Sequence, residues 1–497
     1  MIRKSKVIRY SILVIGLFAF TFSGLNWNVW IAAWIAPALL LFYSRNSKWG
    51  EVFFLFLGLA FCSAASKTAE NVSGIFIIYI TTGITYGLLY ILPYLLDKLL
   101  VRRGVGFCST LVFPSAVVAT EYALSLLIGI WGNGAIAQYH NSNLIQLSSV
   151  LGIFGISFLI AWFGSTMNWI EKNGAKTGNQ WTGIAVYVCA LISVLLFGHI
   201  RQRSVPEAEG TVKVAAIVGE TDLQQIFEDW EEDIMGLSKN YDQKIPEEVF
   251  SDSLDLETMI MRTQEALSSG AKIIVWNEVS LLLLPSQTKS IVERIKNMCI
   301  EYQAYVLIAV LEKNAGDLPK PFNNKSILVN PDGEISWEYL KHFPHPMEKR
   351  IINSGSGPIP IADTDYGRLS NVICYDLDIS TYTLQIGKES IDILLVPALD
   401  WEEVTPYHAH MAAFAAIQYG VNIVRANGQG VTALYDTRGN ILMKSNTFLS
   451  DSKVTIAELP LTKTTTLFSS IGNRFVHIWM MFLLIFIGLR FLKKVDI

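Results

Sequence analysis

Hydrophobic residues form long runs near the two ends of the chain and only short runs in its middle. An apolar run of about 20 residues can cross the hydrocarbon layer of a membrane as a helix. Runs of this kind lie near residues 8–23, 27–43, 51–66, 72–96, 106–130, 145–169, 181–199 and 474–492. The pattern therefore predicts an α-helical polytopic membrane domain of about eight spans, with seven in residues 1–200 and the last in residues 473–497.

Residues 211–462 show a different pattern, in which short β-rich stretches alternate with helical ones. Strands are predicted near 212–218, 272–276, 305–311, 326–330, 335–339, 369–374, 393–397, 422–426, 432–436 and 454–459, and helices near 253–268, 287–303, 380–388 and 406–419. Gly270 and Gly420 mark helix ends, and Pro331–Gly333 and Thr437–Asn440 predict hairpin turns. This alternation predicts a layered α/β domain with helices covering its sheets.

The composition agrees with a membrane protein that carries one soluble domain. Hydrophobic residues make up 51% of the 497 residues, charged residues make up 16%, and the mean hydropathy is +0.37. Soluble proteins contain about 25% charged residues, so this charged fraction is low. The formal net charge of −4 and the lack of a basic tract argue against a nucleic-acid partner.

Basic residues in the loops predict the orientation of the spans. One side would hold Arg3, Lys4, Lys6, Arg9, Arg45, Lys48, Lys98, Arg102, Arg103, Lys172, Lys176, Arg490, Lys493 and Lys494. The short loops of the other side hold only Lys67, although Arg201 and Arg203 run against the trend. Because basic loops stay in the cytoplasm, both termini are predicted to be cytoplasmic and the middle block to be exported. No small-residue cleavage site follows the first run, which favours an uncleaved span over a signal peptide.

The cysteines predict neither a disulfide framework nor a zinc site. No C-x-x-C motif or Cys/His spacing typical of zinc is present. Four of the five lie in apolar runs or a helical pattern, where cysteine behaves as a small hydrophobe: Cys62, Cys108, Cys189 and Cys299. The fifth, Cys374, is an unpaired thiol in the α/β block.

His408 and His410 form the one histidine pair that suggests a metal. They are two residues apart on a predicted helix, so their side chains point to different faces. No carboxylate completes a site, and we therefore expect no metal ion.

Three reactive residues follow three predicted strands. Glu278 follows 272–276, Lys341 follows 335–339, and Cys374 ends 369–374. A carboxylate, an amine and a thiol at one edge of a sheet form a usable acyl-transfer site. The carboxylate takes the thiol proton, the thiolate attacks a carbonyl, and the ammonium stabilises the oxyanion.

Two segments near these residues have more than one interpretation. Residues 219–252 are an acidic connection that is either a solvated surface helix or an amphipathic lid over the site. Leu281–Pro285 is an apolar loop directly after Glu278. It is either ordinary core, or an acyl-chain pocket or membrane-dipping loop beside the active site.

The motifs around the three residues resemble those of the nitrilase, or carbon-nitrogen hydrolase, superfamily. The matching segments are Trp276–Glu278, Tyr339–Glu348 and Val372–Asp376, in the order Glu, Lys, Cys. Trp401, His408 and residues 425–436 resemble the C-terminal half of that family. The resemblance implies an α-β-β-α sandwich in which Glu278 is the general base, Lys341 stabilises the oxyanion and Cys374 is the nucleophile.

The resemblance also assigns roles to four neighbouring residues. Glu348 would position Lys341 and Glu278, Tyr375 and Asp376 would hold the cysteine loop, and Trp401 would line the acyl pocket. The chain departs from the family at three places: Asn277 replaces Pro, Met347 replaces Gly and Asp376 replaces Glu. These departures bear on the substrate rather than on the three catalytic residues.

The membrane layout narrows the resemblance to the apolipoprotein N-acyltransferase family. Trp131–Gly132 and residues 152–159 resemble its membrane half. The resemblance implies an enzyme of the bacterial cell membrane that takes an acyl chain from a phospholipid and passes it to the N-terminal amine of a diacylglyceryl-modified lipoprotein. We expect it to act as a monomer. The resemblance implies no nucleotide or other organic cofactor. The alternatives are a membrane-tethered amidase or nitrilase acting on a small extracellular amide, and a scaffold that binds lipoprotein without turnover.

Overall fold

The computed structural model describes residues 6–24, 27–66, 76–101, 106–173, 178–204, 208–219, 250–315, 318–346 and 348–491. The chain forms two compact units. The first consists of Met1–Val205 and Thr466–Ile497, and the second of Pro206–Thr465.

The first unit is helical. Its helices are α1 (Lys6–Thr21), α2 (Trp30–Asn46), α3 (Val52–Ser66), α4 (Phe76–Tyr90), α5 (Leu92–Leu100), α6 (Val112–Ile128), α7 (Ser148–Leu151), α8 (Ile153–Asn173), α9 (Gly178–Arg203) and, at the end of the chain, α14 (Leu467–Ile471) and α15 (Arg474–Phe491). A helix lies at each predicted span, and the fourth span is divided between α4 and α5. Among the described residues, four stretches are long and apolar enough to cross a membrane: Trp49–Ser66, Phe107–Ile128, Ile153–Glu171 and Trp181–Arg203. The count of eight spans and their orientation remain predictions.

Three basic side chains of the helical unit contact an acidic or carbonyl oxygen. Arg9 Nη1 lies 2.7 Å from Glu51 Oε2, and Arg45 Nη2 lies 2.8 Å from Asp97 Oδ1. Lys98 Nζ donates to the Ser47 carbonyl oxygen at 2.7 Å, just beyond the end of α2. Pairing of this kind is required where charge is placed in an apolar unit.

The second unit contains two sheets and four helices in the described residues. Its strands are β1 (Thr211–Ile217), β2 (Ile273–Trp276), β3 (Leu282–Leu283), β4 (Tyr305–Lys313), β5 (Phe322–Val329), β6 (Ile335–Leu340), β7 (Ile361–Thr364), β8 (Gly367–Asn371), β9 (Ile393–Ala398), β10 (Asn422–Asn427), β11 (Val431–Tyr435), β12 (Ile441–Asn446) and β13 (Val454–Pro460). Its helices are α10 (Ser253–Ser268), α11 (Pro285–Tyr302), α12 (Ser380–Lys388) and α13 (Tyr407–Tyr419).

The two sheets mix parallel and antiparallel pairs. The first has the order β13-β1-β2-β4-β5-β6, with β3 paired to β4, and the second has the order β12-β11-β10-β9-β8-β7. The pairs β1–β2, β2–β4, β8–β9 and β9–β10 are parallel. The pairs β4–β5, β5–β6, β10–β11 and β11–β12 are antiparallel and follow one another along the chain.

Apolar side chains form one core between the sheets and another outside the first sheet. Val214 and Val275 of the first sheet share a buried cluster with Leu395 and Val424 of the second. On the other face of the first sheet, Ile274 packs in a cluster with residues of α10 and α11 such as Ile295. Strands buried on both faces explain why these segments are nearly continuous apolar runs.

The predicted elements of this unit are confirmed in type and place. Asp252 accepts hydrogen bonds from the Leu254 and Asp255 amides and begins α10, while Gly420, with φ of +68°, ends α13. The sequence patterns missed β3, β7 and β12. Of the acidic connection 219–252, residues 220–249 lie outside the described residues.

The apolar loop after Glu278 belongs to the core. Leu281, Leu282 and Leu283 are each exposed by 1% or less, and Leu282–Leu283 form β3 against β4. The interpretation of this loop as a segment that dips into the membrane is therefore wrong. Its leucines fill the space beside β4 because a loop that follows a central strand returns over the apolar core.

Candidate active site

The three reactive residues follow the ends of β2, β6 and β8. The strands β2 and β6 belong to the first sheet and β8 to the second. Cys374 is part of the apolar core between the two sheets. The packing of the sheets thus brings a thiol from one sheet toward an acid and an amine from the other.

Lys341 lies at the centre of the charged cluster. Its Nζ donates to Glu278 Oε1 at 2.7 Å and to Glu348 Oε2 at 2.7 Å, and both Lys341 and Glu278 are 1% exposed. Asn324 on β5 donates from Nδ2 to the same oxygen of Glu278 at 2.7 Å. The amide of Lys341 also bonds to the Asn324 carbonyl oxygen, which extends the β5–β6 pairing to the site.

The surroundings shift the pKa values of this cluster in directions that suit acyl transfer. Burial raises the pKa of Glu278, with Lys341 opposing it, so this carboxylate is a stronger base than an exposed one. Burial lowers the pKa of Lys341, but Glu278, Glu348 and Cys374 outweigh it and hold that pKa well above its usual value. Burial raises the pKa of Glu348, but Lys341 and His345 outweigh it and lower that pKa. Lys341 is therefore a permanent cation between a base and an anion.

Cys374 begins a short 3-10 helix, Cys374–Asp378, which we call the nucleophile turn. The Cys374 side chain is buried, and its φ of +47° lies in the left-handed region. Burial first, and Glu278 second, raise the pKa of its thiol well above the usual value. The resting nucleophile is therefore a neutral thiol that needs a base to become a thiolate.

Asp376 connects the nucleophile turn to the loop after Lys341. Its carboxylate accepts hydrogen bonds from the Phe343 amide at 2.7 Å, the Tyr339 hydroxyl at 2.8 Å and the Ile373 amide at 3.1 Å. Burial raises its pKa to about 6, against the effect of these donors. Asp376, which the sequence predicts to hold the cysteine loop, thus lies between the segment that carries Cys374 and the segment that carries Lys341.

Tyr375 and Trp401 both contact the ring of His345. The ring centroids of His345 and Tyr375 are 5.2 Å apart, and those of His345 and Trp401 are 5.7 Å apart. The His345 amide donates to Glu348 Oε2 at 2.8 Å. Burial lowers the pKa of His345 to about 4, so its ring is neutral and packs as an aromatic surface. These contacts place both predicted neighbours beside the charged cluster.

A second charged cluster borders the nucleophile, and the sequence interpretation missed it. His408 on α13 donates from Nδ1 to Asp400 Oδ1 at 2.6 Å and from Nε2 to Asp378 Oδ2 at 3.1 Å. Arg425 Nη2 lies 2.8 Å from Asp400 Oδ1 and 3.2 Å from His408 Nδ1. One signal could have revealed this cluster: Arg425 is a charge in the middle of an apolar strand, and a buried charge requires a partner.

The reason given above against a metal at His408 is wrong, because Asp378 and Asp400 both contact this histidine. Ligand atoms of Cys374, Asp400 and His408 lie within 4.8 Å of one another, which is a distance suited to a shared ion. However, Asp400 already accepts from Arg425, and both ring nitrogens of His408 are engaged by carboxylates. A metal ion would have to displace a proton and compete with a guanidinium, so the donor set fits an ion-pair network better than a metal.

The position of His408 predicts a pH dependence of stability. Burial lowers its pKa, but Asp378 and Asp400 outweigh it and raise the pKa from 6.5 to about 9. Its stabilising contribution, about 3 kcal/mol, is complete below pH 6.5 and is lost as the pH rises through about 9. Thermal unfolding of the full chain in detergent should show this loss. The variant His408→Gln should not lose stability over this pH range. The same loss at alkaline pH in that variant would show that His408 is not its cause.

The two parts of the chain match two sequence families. A model of the carbon-nitrogen hydrolase family matches residues 214–467. A model of the apolipoprotein N-acyltransferase N-terminal domain matches residues 16–166. The first match covers the α/β unit together with the site described above.

Similar proteins of known name cover both parts. Apolipoprotein N-acyltransferase from Geobacter metallireducens is 25% identical over 375 residues, covering 69% of this chain and 67% of that protein. The protein of the same name from Haemophilus ducreyi is 25% identical and covers 80% of this chain and 77% of its own. The protein of the same name from Borreliella burgdorferi is 24% identical, and the match covers 75% of this chain and 74% of that protein. Among solved structures, an amidase from Nesterenkonia sp. matches 52% of this chain and 94% of its own, at 15% identity and a TM-score of 0.41.

Proposed function

The chain belongs to the carbon-nitrogen hydrolase family, as an apolipoprotein N-acyltransferase, and we propose that its acyl transfer runs through a thioester on Cys374. The donor is a membrane phospholipid and the acceptor is the N-terminal amine of a diacylglyceryl-modified lipoprotein. The single observation that carries the proposed mechanism is the contact of Lys341 with Glu278 in a buried site that also holds the Cys374 thiol.

In the first step the thiol attacks the ester carbonyl of the phospholipid. Glu278 takes the proton of Cys374 as the sulfur–carbon bond forms, and the ammonium of Lys341 stabilises the oxyanion of the tetrahedral intermediate. The carbon–oxygen bond of the ester then breaks. The lysophospholipid alkoxide leaves with the proton that Glu278 carries, and the acyl group remains on sulfur.

In the second step the amine of the lipoprotein attacks the thioester. Glu278 takes a proton from the attacking amine, the carbon–sulfur bond breaks, and the thiolate of Cys374 is protonated again. The products are an amide and the free enzyme, so the reaction consumes no cofactor. A buried site excludes water and favours attack by the amine over hydrolysis.

The division of the chain suits a reaction in which donor and acceptor are both lipids. Residues 1–200 and 473–497 would form the membrane domain, and residues 211–462 would carry the chemistry. Both termini would lie in the cytoplasm and the catalytic domain outside it, because the basic loops of residues 1–200 lie on one side of the predicted spans. This arrangement would join the acyl-transfer chemistry and the membrane anchor in one chain.

Labelled substrates test the proposed reaction. The purified chain is incubated with a phospholipid carrying a labelled acyl chain and with a diacylglyceryl-modified peptide that has a free N-terminus. We expect the label in an amide at that N-terminus, and none when the amine is acetylated beforehand. Release of free fatty acid alone, or turnover of small amides without transfer, would support the alternative of a membrane-tethered amidase.

Lys341→Met should slow thioester formation by about 10²-fold because the oxyanion loses its cation. It should also lower the free energy of unfolding by about 3 kcal/mol or more, since Glu278 and Glu348 would share a buried site without a counter-ion. Lys325→Met is the matched control. Lys325 on β5 has its Nζ 2.8 Å from Oε1 of Glu312 on β4, and this pair is largely buried. That variant should lose stability but keep the transfer rate. Equal rates for Lys341→Met and wild type would exclude the role of Lys341.

A further inference from the structure

The nucleophile turn has an unfavourable backbone conformation at Cys374. A φ of +47° brings a Cβ close to the following carbonyl oxygen, which costs about 1–2 kcal/mol in a non-glycine residue. Such conformations persist where the surrounding contacts over-determine them. The contacts that hold the nucleophile turn therefore decide whether the Cys374 thiol keeps its orientation.

Two carboxylates of the turn bond to different parts of the α/β unit. Asp376 accepts from Phe343 and Tyr339 and so ties the turn to the lysine segment. Asp378, at the other end of the turn, accepts from His408 Nε2. Asp376 belongs to the motif discussed above, whereas Asp378 and His408 have no role in the two chemical steps.

His408 bridges the turn to the second sheet. Its other ring nitrogen donates to Asp400, which follows β9, and Asp400 is held by Arg425 of β10 and by Asn427 Nδ2 at 2.8 Å. A histidine donates from both nitrogens only as an imidazolium. The carboxylates that face it raise its pKa to about 9, so this cation persists at neutral pH.

The cluster is balanced in charge and buried. Asp378 and Asp400 supply two negative charges, and His408 and Arg425 supply two positive ones. Two further titratable groups lie near the imidazole: His345, which is neutral, and the thiol of Cys374. Removal of His408 alone would take the cation away from the buried carboxylate of Asp378, and the turn would lose this anchor.

We propose that His408 is a positioning residue for Cys374: as a cation between Asp378 and Asp400, it fixes the nucleophile turn in the geometry of attack. This inference rests on the proposed function for its kinetic consequence but not for its structural one. It predicts that the turn loosens locally when His408 is replaced, while the binding of the acyl donor is unchanged.

Three variants separate positioning from general stability. His408→Gln removes the cation and leaves an uncompensated carboxylate. The double variant Asp378→Ala/His408→Gln removes the anchor but restores charge balance, because Asp400 and Arg425 remain paired. His410→Gln changes a second histidine of α13, two residues away and therefore on a different face of the helix. All three are made in the full chain.

The first readout is hydrogen exchange of the peptide covering residues 372–380. The Asp376 amide bonds to the Ile373 carbonyl oxygen and reports opening of the turn. We expect exchange at least about tenfold faster in His408→Gln and in the double variant, which corresponds to the loss of one charge-assisted hydrogen bond. Exchange in His410→Gln should match wild type. This readout needs no substrate, so it holds even if the wild-type chain were to form no thioester.

The second readout is the single-turnover rate of thioester formation at saturating phospholipid. We expect about a 100-fold fall in rate for His408→Gln, with an unchanged KM for the donor, because misplacement of a nucleophile affects the chemical step. The double variant should regain thermal stability without regaining rate. A rate that recovers together with stability, or wild-type exchange in residues 372–380 of His408→Gln, would overturn the proposal.

Discussion

Cys374→Ala should abolish both thioester formation and acyl transfer, with a loss of about 10⁶-fold or down to the limit of detection. In the proposed mechanism the thiol forms the covalent bond to the acyl group. Cys299, the other described cysteine of the α/β unit, packs in a different apolar cluster. The fold should survive, because the thiol lies at the end of the core between the sheets and alanine has the same preference as cysteine against a φ of +47°. Transfer is measured with a labelled phospholipid and a diacylglyceryl-modified peptide.

Cys299→Ala is the matched control for this variant. Cys299 is also buried in the α/β unit, but it packs among apolar residues of α11 and the first sheet. The Cys299→Ala variant should transfer the acyl chain at the wild-type rate and should lose only a small part of its stability. Near-normal transfer by Cys374→Ala would remove the thioester mechanism altogether, whereas a loss shared by both variants would indicate a folding defect.

Glu278→Gln should slow thioester formation by about 10³-fold, because an amide cannot take the proton of the thiol. The substitution keeps the shape of the side chain, and the amide oxygen can still accept from Lys341 and Asn324. Since burial raises the pKa of Glu278, the wild-type rate should fall on the acid side as the pH drops through that raised pKa. Glu278→Gln should be slow at every pH and should not show this fall in rate at low pH.

Glu312→Gln provides the comparison for Glu278→Gln. Glu312 is a largely buried carboxylate on β4 that pairs with Lys325 rather than with the site. Its substitution should leave the rate and the pH profile of transfer unchanged. An acyl-enzyme that forms at the wild-type rate in Glu278→Gln would assign the base to another residue.

The fold of the α/β unit follows closely from the sequence where burial is complete. Strands such as β1, β2 and β9 lie in the middle of a sheet, and their apolar runs match the observed bounds within about two residues. The missed strands have weaker signals: β7 and β12 are edge strands with half-exposed polar residues, and β3 has two residues. None of the residues of β7 and β12 is fully buried, so no alternation of buried apolar and exposed polar positions separates these strands from loops.

The site is predictable from the sequence only in part. Glu278, Lys341 and Cys374 each follow a strand, as the sequence indicates. The expectation that they share one edge of a sheet is wrong, because the strand before Cys374 belongs to the second sheet and the strands before Glu278 and Lys341 to the first. The network of Asp378, Asp400 and His408 depends instead on how α13 packs against the second sheet. That packing is set by contacts between distant segments, which a local pattern does not contain. The reason given against a metal at His408 failed in the same way, because the carboxylate partners of this histidine are distant in sequence.

Intact mass spectrometry of the purified chain, incubated with phospholipid in the absence of an acceptor, tests the central claim most directly. The account predicts that wild type gains the mass of one acyl chain, that the gain maps to Cys374 and that addition of an acceptor amine removes it. A protein that transfers the acyl chain without ever carrying it, or that carries it on another residue, would contradict the account.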